Sequence, residues 1–476
     1  MKIERSDGIT PSEKYLKKLC DRAFLSLWSY SGIYRDQKQG GKGDGKELCD
    51  LLVVFENHVI IFSDKQIEFP KSGNVRLDWS RWYRRAVRES AKQIFGAEKW
   101  IKSFPHRLFI DRGCTQPFPL QLPDINDVKI HRIVIAHGMA EKCKSFFNGG
   151  SGSLLIDNAV KGDAHCRENC LPFVIGQVDP IKGYVHVFDD VTLDVVLQTL
   201  DTITDFVTYL LKKERFLGNP DLSVWATGEE DLLAFYFRRL DDNGEHDFVL
   251  SPNDLNGVSI SEGFWEHFSN SIERKSQLEA DRISYSWDAL IETFNKHIFQ
   301  DTQYYAYPHG IIDQEKIVKF LARENRTRRR MLSKSLYELI GKTPSTELGA
   351  RVMLPLRPND PHYVFLLMPK QSNVSETEYR KMRRVMLQSY CMVTKYKFPE
   401  AVDIVGLATE SGRREYGSED LLYLDARDWT EEDQAVAQGI YEEVGLLKTT
   451  NQFAGTEFEF PIEKTTKKRK RRRSKK

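Results

Sequence analysis

An aspartate at residue 50 and a lysine at residue 65 flank two aliphatic runs in KELCDLLVVFENHVIIFSDKQIEF, residues 46–69. Brought to one end of a sheet, an acid and an ammonium can do phosphoryl chemistry. A carboxylate holds Mg2+, which keeps several waters. The ion lowers the pKa of a bound water and stabilises charge on a phosphoryl oxygen. The lysine orients that water or neutralises the developing charge. The two runs read as strands joined by a turn at Glu56-Asn57-His58. Antiparallel strands so joined return Asp50 and Lys65 to the same end. Residues two apart on a strand share a face, so Ser63 and Lys65 point one way and Asp64 the other.

Helices must hold such a hairpin in place. Residues 12–28, SEKYLKKLCDRAFLSLW, have apolar residues at helical spacing, with Ser12 expected as N-cap after Pro11. A second helix is expected over 78–102 with an aromatic stripe and a basic face. Strands are expected at 107–111, 130–136 and 184–188, and one helix over 192–216 capped by Thr192.

Helix, Asp-bearing strand, turn, Lys-bearing strand and helix, in that order, resemble the core of the PD-(D/E)XK nuclease superfamily. There an Asp on one strand is followed by Asp/Glu-x-Lys on the next, and this chain has Asp50 followed by Ser63-Asp64-Lys65. The resemblance covers residues 12–115 and extends to 217 if the later strands complete the sheet. It implies an α/β fold with a restriction-endonuclease-like mixed sheet flanked by helices. It also implies a Mg2+ (or Mn2+) cofactor and hydrolysis of nucleic-acid phosphodiesters, with DNA the first candidate, in restriction or defence against foreign DNA. By that resemblance Asp50 holds the metal, helped by Ser63 or Asp64, with Glu13 or Glu47 as further ligands, while Lys65 and Gln93 position the water. The departure is Ser63, where the pattern has an acid; a hydroxyl is a weak Mg2+ ligand beside a carboxylate. Ser63 favours the alternative of a non-catalytic nucleic-acid- or protein-binding adaptor that keeps the fold. In a third reading the hairpin is only structural.

Charge is unevenly distributed. The net charge is +1, yet residues 464–476, KTTKKRKRRRSKK, hold ten Lys/Arg and no acid. The rest has 60 basic against 69 acidic residues. The tail is expected to be disordered and drawn to polyanions, with Lys468, Arg469, Lys470, Arg471, Arg472 and Arg473 as candidate phosphate contacts. Arg81, Arg84, Arg85, Arg88 and Lys92 form a basic helix face, and Arg326, Arg328, Arg329 and Arg330 suggest a second.

Other patterns carry less. GGKGDGKE, 40–47, lacks the Ser/Thr of a P-loop and precedes a strand. His165-Cys166-x-x-x-Cys170 lacks a second ligand pair for zinc. The glycine- and serine-rich stretch 148–158 and the acidic turn 240–248 read as loops. Seven unpatterned cysteines argue against a disulfide scaffold and for a reducing compartment, the cytoplasm. A polar start and no apolar run of about 18 residues give no expected membrane span. The expected organisation is a nuclease-like unit over 1–217, a mostly helical region over 218–342, an α/β unit over 343–450 that offers a surface to a partner protein, and a basic tail over 451–476.

Overall fold

A helix, three antiparallel strands, a long helix and two parallel strands build a three-layer unit. In the computed structural model, residues 2–36, 45–251, 257–305, 310–412, 418–449, 451–452, 455 and 457–461 are described. Strands β1 (Ser29–Arg35), β2 (Lys46–Phe55), β3 (His58–Gln66), β4 (Leu108–Phe109) and β5 (Lys129–His137) lead to β6 (Leu155–Lys161), β7 (Val174–Gln177) and β8 (His186–Asp189). The main sheet has the order β4-β1-β2-β3-β5-β8. Its β1–β2–β3 part is antiparallel and its β3–β5–β8 part is parallel.

Helices α1 (Pro11–Phe24), α2 (Val75–Tyr83), α3 (Glu89–Ser103), α4 (Ala140–Phe147), α5 (Thr192–Thr199) and α6 (Ile203–Leu217) flank it. The Phe24 ring of α1 lies 6.3 Å from Phe62 of β3 and 5.0 Å from Phe206 of α6, so α1 and α6 share one face. Helix α3 covers the other face, where Glu98 grips Arg132 of β5 through two bonds of 2.7 and 2.8 Å. Near-continuous burial along β2, β3 and β5 is what a sheet covered on both faces demands.

Two local expectations are corrected. The cap of α1 is Thr10, whose hydroxyl accepts from the Glu13 N–H while Glu13 Oε2 accepts from the Ile9 N–H at 2.7 Å. That capping box releases Ser12 to bond Asp64 across the layer. The helix expected over 192–216 breaks at residues 200–202. Asp201 there serves Arg326, at 2.9 Å, and Thr202 caps α6. Thr192 does not cap α5 by itself; Asp189 accepts from the N–H groups of Val191 and Thr192.

A second sheet, order β10-β9-β6-β7, adds β9 (Ser223–Ala226) and β10 (Gly257–Ile260) to β6 and β7. The boundary expected at 217 therefore runs through a sheet, and the region after it is helical with two strands inserted. The third sheet, β11 (Gly349–Met353), β12 (His362–Met368), β13 (Asp403–Glu410) and β14 (Asp420–Asp425), carries the helix Glu376–Lys397, as the sequence implies. Tyr363, Phe365 and Leu367 of its β12 join the main core, while Val364 and Leu366 pack in a separate core with Leu387 and Cys391. The chain is a mixed α/β protein with several mixed sheets. Among the described residues no helix is long and apolar enough to cross a membrane. Lys468, Arg469, Lys470, Arg471, Arg472 and Arg473 lie outside the described residues.

Candidate metal-binding site

The ladder between β2 and β3 pairs Leu51 with Phe62 and goes no further. Beyond that point the strands part, and the Asp50 carboxylate enters the opening. Asp50 Oδ2 accepts the N–H of Asp64 at 2.5 Å, a bond that a strand backbone would otherwise have supplied. Asp50 is buried. Burial raises its pKa; Lys65 and the Asp64 N–H pull it back, and the charges of Asp64 and Glu13 push it up.

Glu47 joins Asp50 through a β-bulge. Against β1, Ile33 pairs with Cys49 but Tyr34 pairs with Glu47, so Leu48 is an extra residue. One inserted residue reverses the alternation of faces, and Glu47 turns to the side of Asp50. Its carboxyl is pushed up to about 7, by burial first and then by the charges of Asp50 and Glu13, with Lys65 opposing. Glu13 stands at the first turn of α1 with Oε2 held in the capping box, and its charge reaches both acids. Lys65 is half-buried and forms no ion pair among the described residues. Where the two strands diverge, the charges of Glu47, Asp50, Glu13 and Lys65 thus act on one another, without a direct ion pair among the described residues.

The face rule holds for the neighbouring serine and aspartate. Ser63 is fully buried and its hydroxyl has no hydrogen-bond partner among the described residues. Asp64 points to the α1 side. It accepts from the Ser12 hydroxyl and lies 2.8 Å from His137 Nε2. The other ring nitrogen, Nδ1, is 2.8 Å from Asp190, which also takes the Gly138 N–H at 2.8 Å. Asp64 is thereby committed to Ser12 and His137, away from the Asp50 carboxylate. Burial opposes charge on His137, but bonds to Asp190 and Asp64 outweigh it and raise its pKa to about 10.

Gln93 is half-buried on α3 and makes no side-chain hydrogen bond among the described residues. Trp82 ties the long helix to the same rim by donating to Ile67 O at 3.1 Å and His137 O at 3.2 Å. The helix passes there through a π turn, Arg84–Arg88, a feature that recurs at functional sites. Arg81, Arg84, Arg85, Arg88 and Lys92 are exposed. Arg88 pairs with Asp163 at 2.9 Å and Lys92 with Glu89 at 3.7 Å. Arg81, Arg84 and Arg85 have no ion-pair partner among the described residues.

The second basic surface is corrected. Arg326, Arg328, Arg329 and Arg330 are buried. Arg326 binds Asp201 at 2.9 Å and Asp288 at 2.8 Å, and Arg329 binds Asp288 at 2.7 Å. Arg330 binds Asp281 at 3.0 Å, and Arg328 donates to Leu354 O at 2.8 Å. These cations hold helices together and cannot reach a phosphate backbone.

Ser12, His137 and Asp190 were not legible as rim residues, because the parallel β3–β5 pairing, which sets Gln66 opposite His137, and the packing of α1 and the end of β8 bring them there. No protein-family model matches the chain, and no curated protein or solved structure does.

Two pH effects follow. Glu47 has a folded pKa above its ordinary value, so its contribution to stability is full below that value and is lost as pH rises through about 7. Metal-free protein is expected to lose stability between pH 5 and 8, and Mg2+ to restore more of it at pH 8 than at pH 6; Glu47→Gln flattens both trends. Urea midpoints with and without Mg2+ measure this. His137 also has a raised pKa, and its contribution is full below about 6.5 and lost on the way to about 10. His137→Gln is expected to cost about 1–3 kcal/mol at pH 7 and much less at pH 10, read from the same midpoints.

Proposed function

We propose that the N-terminal unit is a Mg2+- or Mn2+-dependent phosphodiesterase acting on nucleic acid. What supports this reading is the mutual electrostatic influence of Glu47, Asp50, Glu13 and Lys65 near the diverging ends of β2 and β3. The donor set fits the ion. It is all oxygen and mutually repulsive, with the Asp64 N–H on Asp50, the capping-box N–H groups on Glu13 and one unpaired ammonium as relief, an environment a hard cation would stabilise.

Asp50 and Glu47 would hold the metal, with the charge of Glu13 adding to its attraction. Bound there, the ion would supply an activated water and charge stabilisation at a phosphoryl oxygen. Lys65 forms no ion pair among the described residues, so it can orient a water or meet the charge developing on phosphate. Gln93 offers an uncommitted amide on the facing helix for the same water. His137, Ser12 and Asp190 hold Asp64, whose N–H fixes Asp50; they position the site without touching substrate. Arg81, Arg84 and Arg85 would follow the phosphate backbone, DNA first, assisted by the basic tail. The C-terminal α/β unit remains the candidate surface for a partner protein, and free thiols at all seven cysteines suit a cytoplasmic setting.

A second reading is an adaptor that keeps the fold without catalysis. The buried, unpartnered Ser63 hydroxyl and the commitment of Asp64 to His137 favour it, because they remove the acid that the PD-(D/E)XK pattern would place beside Asp50. The two readings separate in a cleavage assay on plasmid, linear and single-stranded DNA with Mg2+ or Mn2+. Catalysis predicts cutting by the wild type, lost in Lys65→Ala. The adaptor predicts no cutting with binding retained. In either case Arg81→Ala/Arg84→Ala/Arg85→Ala should weaken binding and flatten its salt dependence by about 2–3 in log–log slope.

A further inference from the structure

At the other end of the main sheet, two imidazoles and a carboxylate converge that the phosphodiesterase reading does not use. His131 lies near the start of β5, His186 opens β8, and Glu214 sits near the end of α6. The register brings the histidines together. His186 is level with Ile133, and residues two apart share a face, so His131 and His186 point into the same layer. Helix α6 covers that layer, with its Phe206 ring 6.5 Å from Phe188 of β8. The ligand-capable atoms of the three residues all lie within 4.8 Å of one another.

The geometry is close to what an ion needs. Glu214 Oε1 is 2.9 Å from His186 Nε2 and 3.9 Å from His131 Nδ1. A tetrahedral ion with bonds of ~2.0–2.1 Å holds its ligands about 3.3 Å apart. The His131 nitrogen facing Glu214 is buried and has no hydrogen-bond partner, while its other nitrogen, Nε2, is 2.9 Å from His58 Nδ1. If Nε2 carries the proton and donates it to His58, Nδ1 turns a lone pair toward a carboxylate oxygen. Two electron-rich atoms in that relation repel unless a cation stands between them. A ligating histidine held through its other nitrogen is a common arrangement at metal centres.

Neighbouring protein cations do not fill that role. Arg132 is taken by Glu98 at 2.7 Å and Lys213 by Glu229 at 2.5 Å. The Glu214 side chain is 30% exposed, whereas those of His131 and His186 are 2% and 0% exposed, which leaves an entry path and room for a water on the carboxylate side.

We propose that His131 Nδ1, His186 Nε2 and Glu214 bind a zinc-class divalent ion, with His58 orienting His131 and a water as the fourth ligand. The choice of zinc over Mg2+ follows from two imidazole donors. Six residues of β5 separate His131 from His137, roughly 20 Å at strand rise, so this centre is distinct from the Asp50 rim and independent of the function proposed for it. Its ligands come from β5, β8 and α6, so the ion would lock the last strand of the main sheet to the helix that covers it.

The test uses the full chain, stripped with a chelator, reloaded with Zn2+ or Co2+ and desalted. Metal content by mass spectrometry is expected to be near one ion per chain in the wild type, in Asp50→Ala and in Cys166→Ser/Cys170→Ser. Glu214→Gln, a half-exposed and nearly isosteric change, and His186→Gln are expected to lose at least ~100-fold in affinity. The wild type loaded with Co2+ should show the visible absorption of a four-coordinate nitrogen–oxygen site and a raised Tm, neither of which depends on a variant folding. Failure of the wild type to retain either ion, or equal retention by Glu214→Gln with an unchanged circular dichroism spectrum, would overturn the proposal.

Discussion

Replacing Arg329 by Met is expected to destabilise the protein by about 3–5 kcal/mol, the cost of leaving a buried ion pair with one partner. Arg329 is fully buried and donates to Asp288 Oδ1 at 2.7 Å, Ala322 O at 2.5 Å and Glu324 O at 2.9 Å. Methionine fills the space of the stem but leaves two carbonyls and part of a shared carboxylate unsatisfied. Asp288 also holds Arg326, so the loss should spread to the Asp201 contact between α5 and α6. Urea midpoints at low and high salt measure it, and the loss should vary little with salt because the pair is shielded from solvent. The Arg81→Ala/Arg84→Ala/Arg85→Ala variant provides the contrast, since those exposed residues should change nucleic-acid binding and leave stability within about 0.5 kcal/mol.

Asp50→Asn should move stability and activity in opposite directions. Asparagine can still accept the Asp64 N–H and fills the same volume, while the repulsion between Asp50 and Glu47 disappears. Without metal the variant is expected to melt higher by roughly 1–2 °C, the shift that about 1 kcal/mol gives in a chain of this size, and the Glu47 carboxyl should titrate lower. Any Mg2+-dependent cleavage should fall by about 10³-fold or more, since one anionic ligand of the ion is gone. A gain in Tm with a loss of cleavage is the pattern of a site that holds charge for function at the expense of the fold. A Tm that falls would mean that Asp50 is a structural cap of the strand end.

The sequence made the hairpin legible because alternation and a turn are local signals. The turn and the period of two are enough to set Asp50 and Lys65 at the same end of the hairpin and Asp64 on the face opposite Ser63. Glu47 was harder to place, since strict alternation sets it opposite Asp50. Only the extra residue Leu48 reverses that, and a bulge leaves no trace in composition. Ser12 read as a cap because Ser precedes an apolar helix, yet Thr10 and Glu13 form a better capping box two residues earlier. The arginines at 326–330 read as a basic surface because their acidic partners lie between 38 and 127 residues away in the chain. The His131–His186–Glu214 cluster was illegible for the same reason, being set by strand register and by the packing of α6.

If Glu47 and Asp50, with the charge of Glu13 beside them, hold a divalent ion at the rim, that ion can be counted directly. Calorimetric titration of Mn2+ into chelator-treated full-length protein, with the histidine cluster saturated by Zn2+, tests this most directly. One Mn2+ site is expected in the wild type, weakening as pH falls below about 7 and lost in both Asp50→Asn and Glu47→Gln. Mn2+ binding unaffected by either substitution, or absent from the wild type at pH 8, would contradict it.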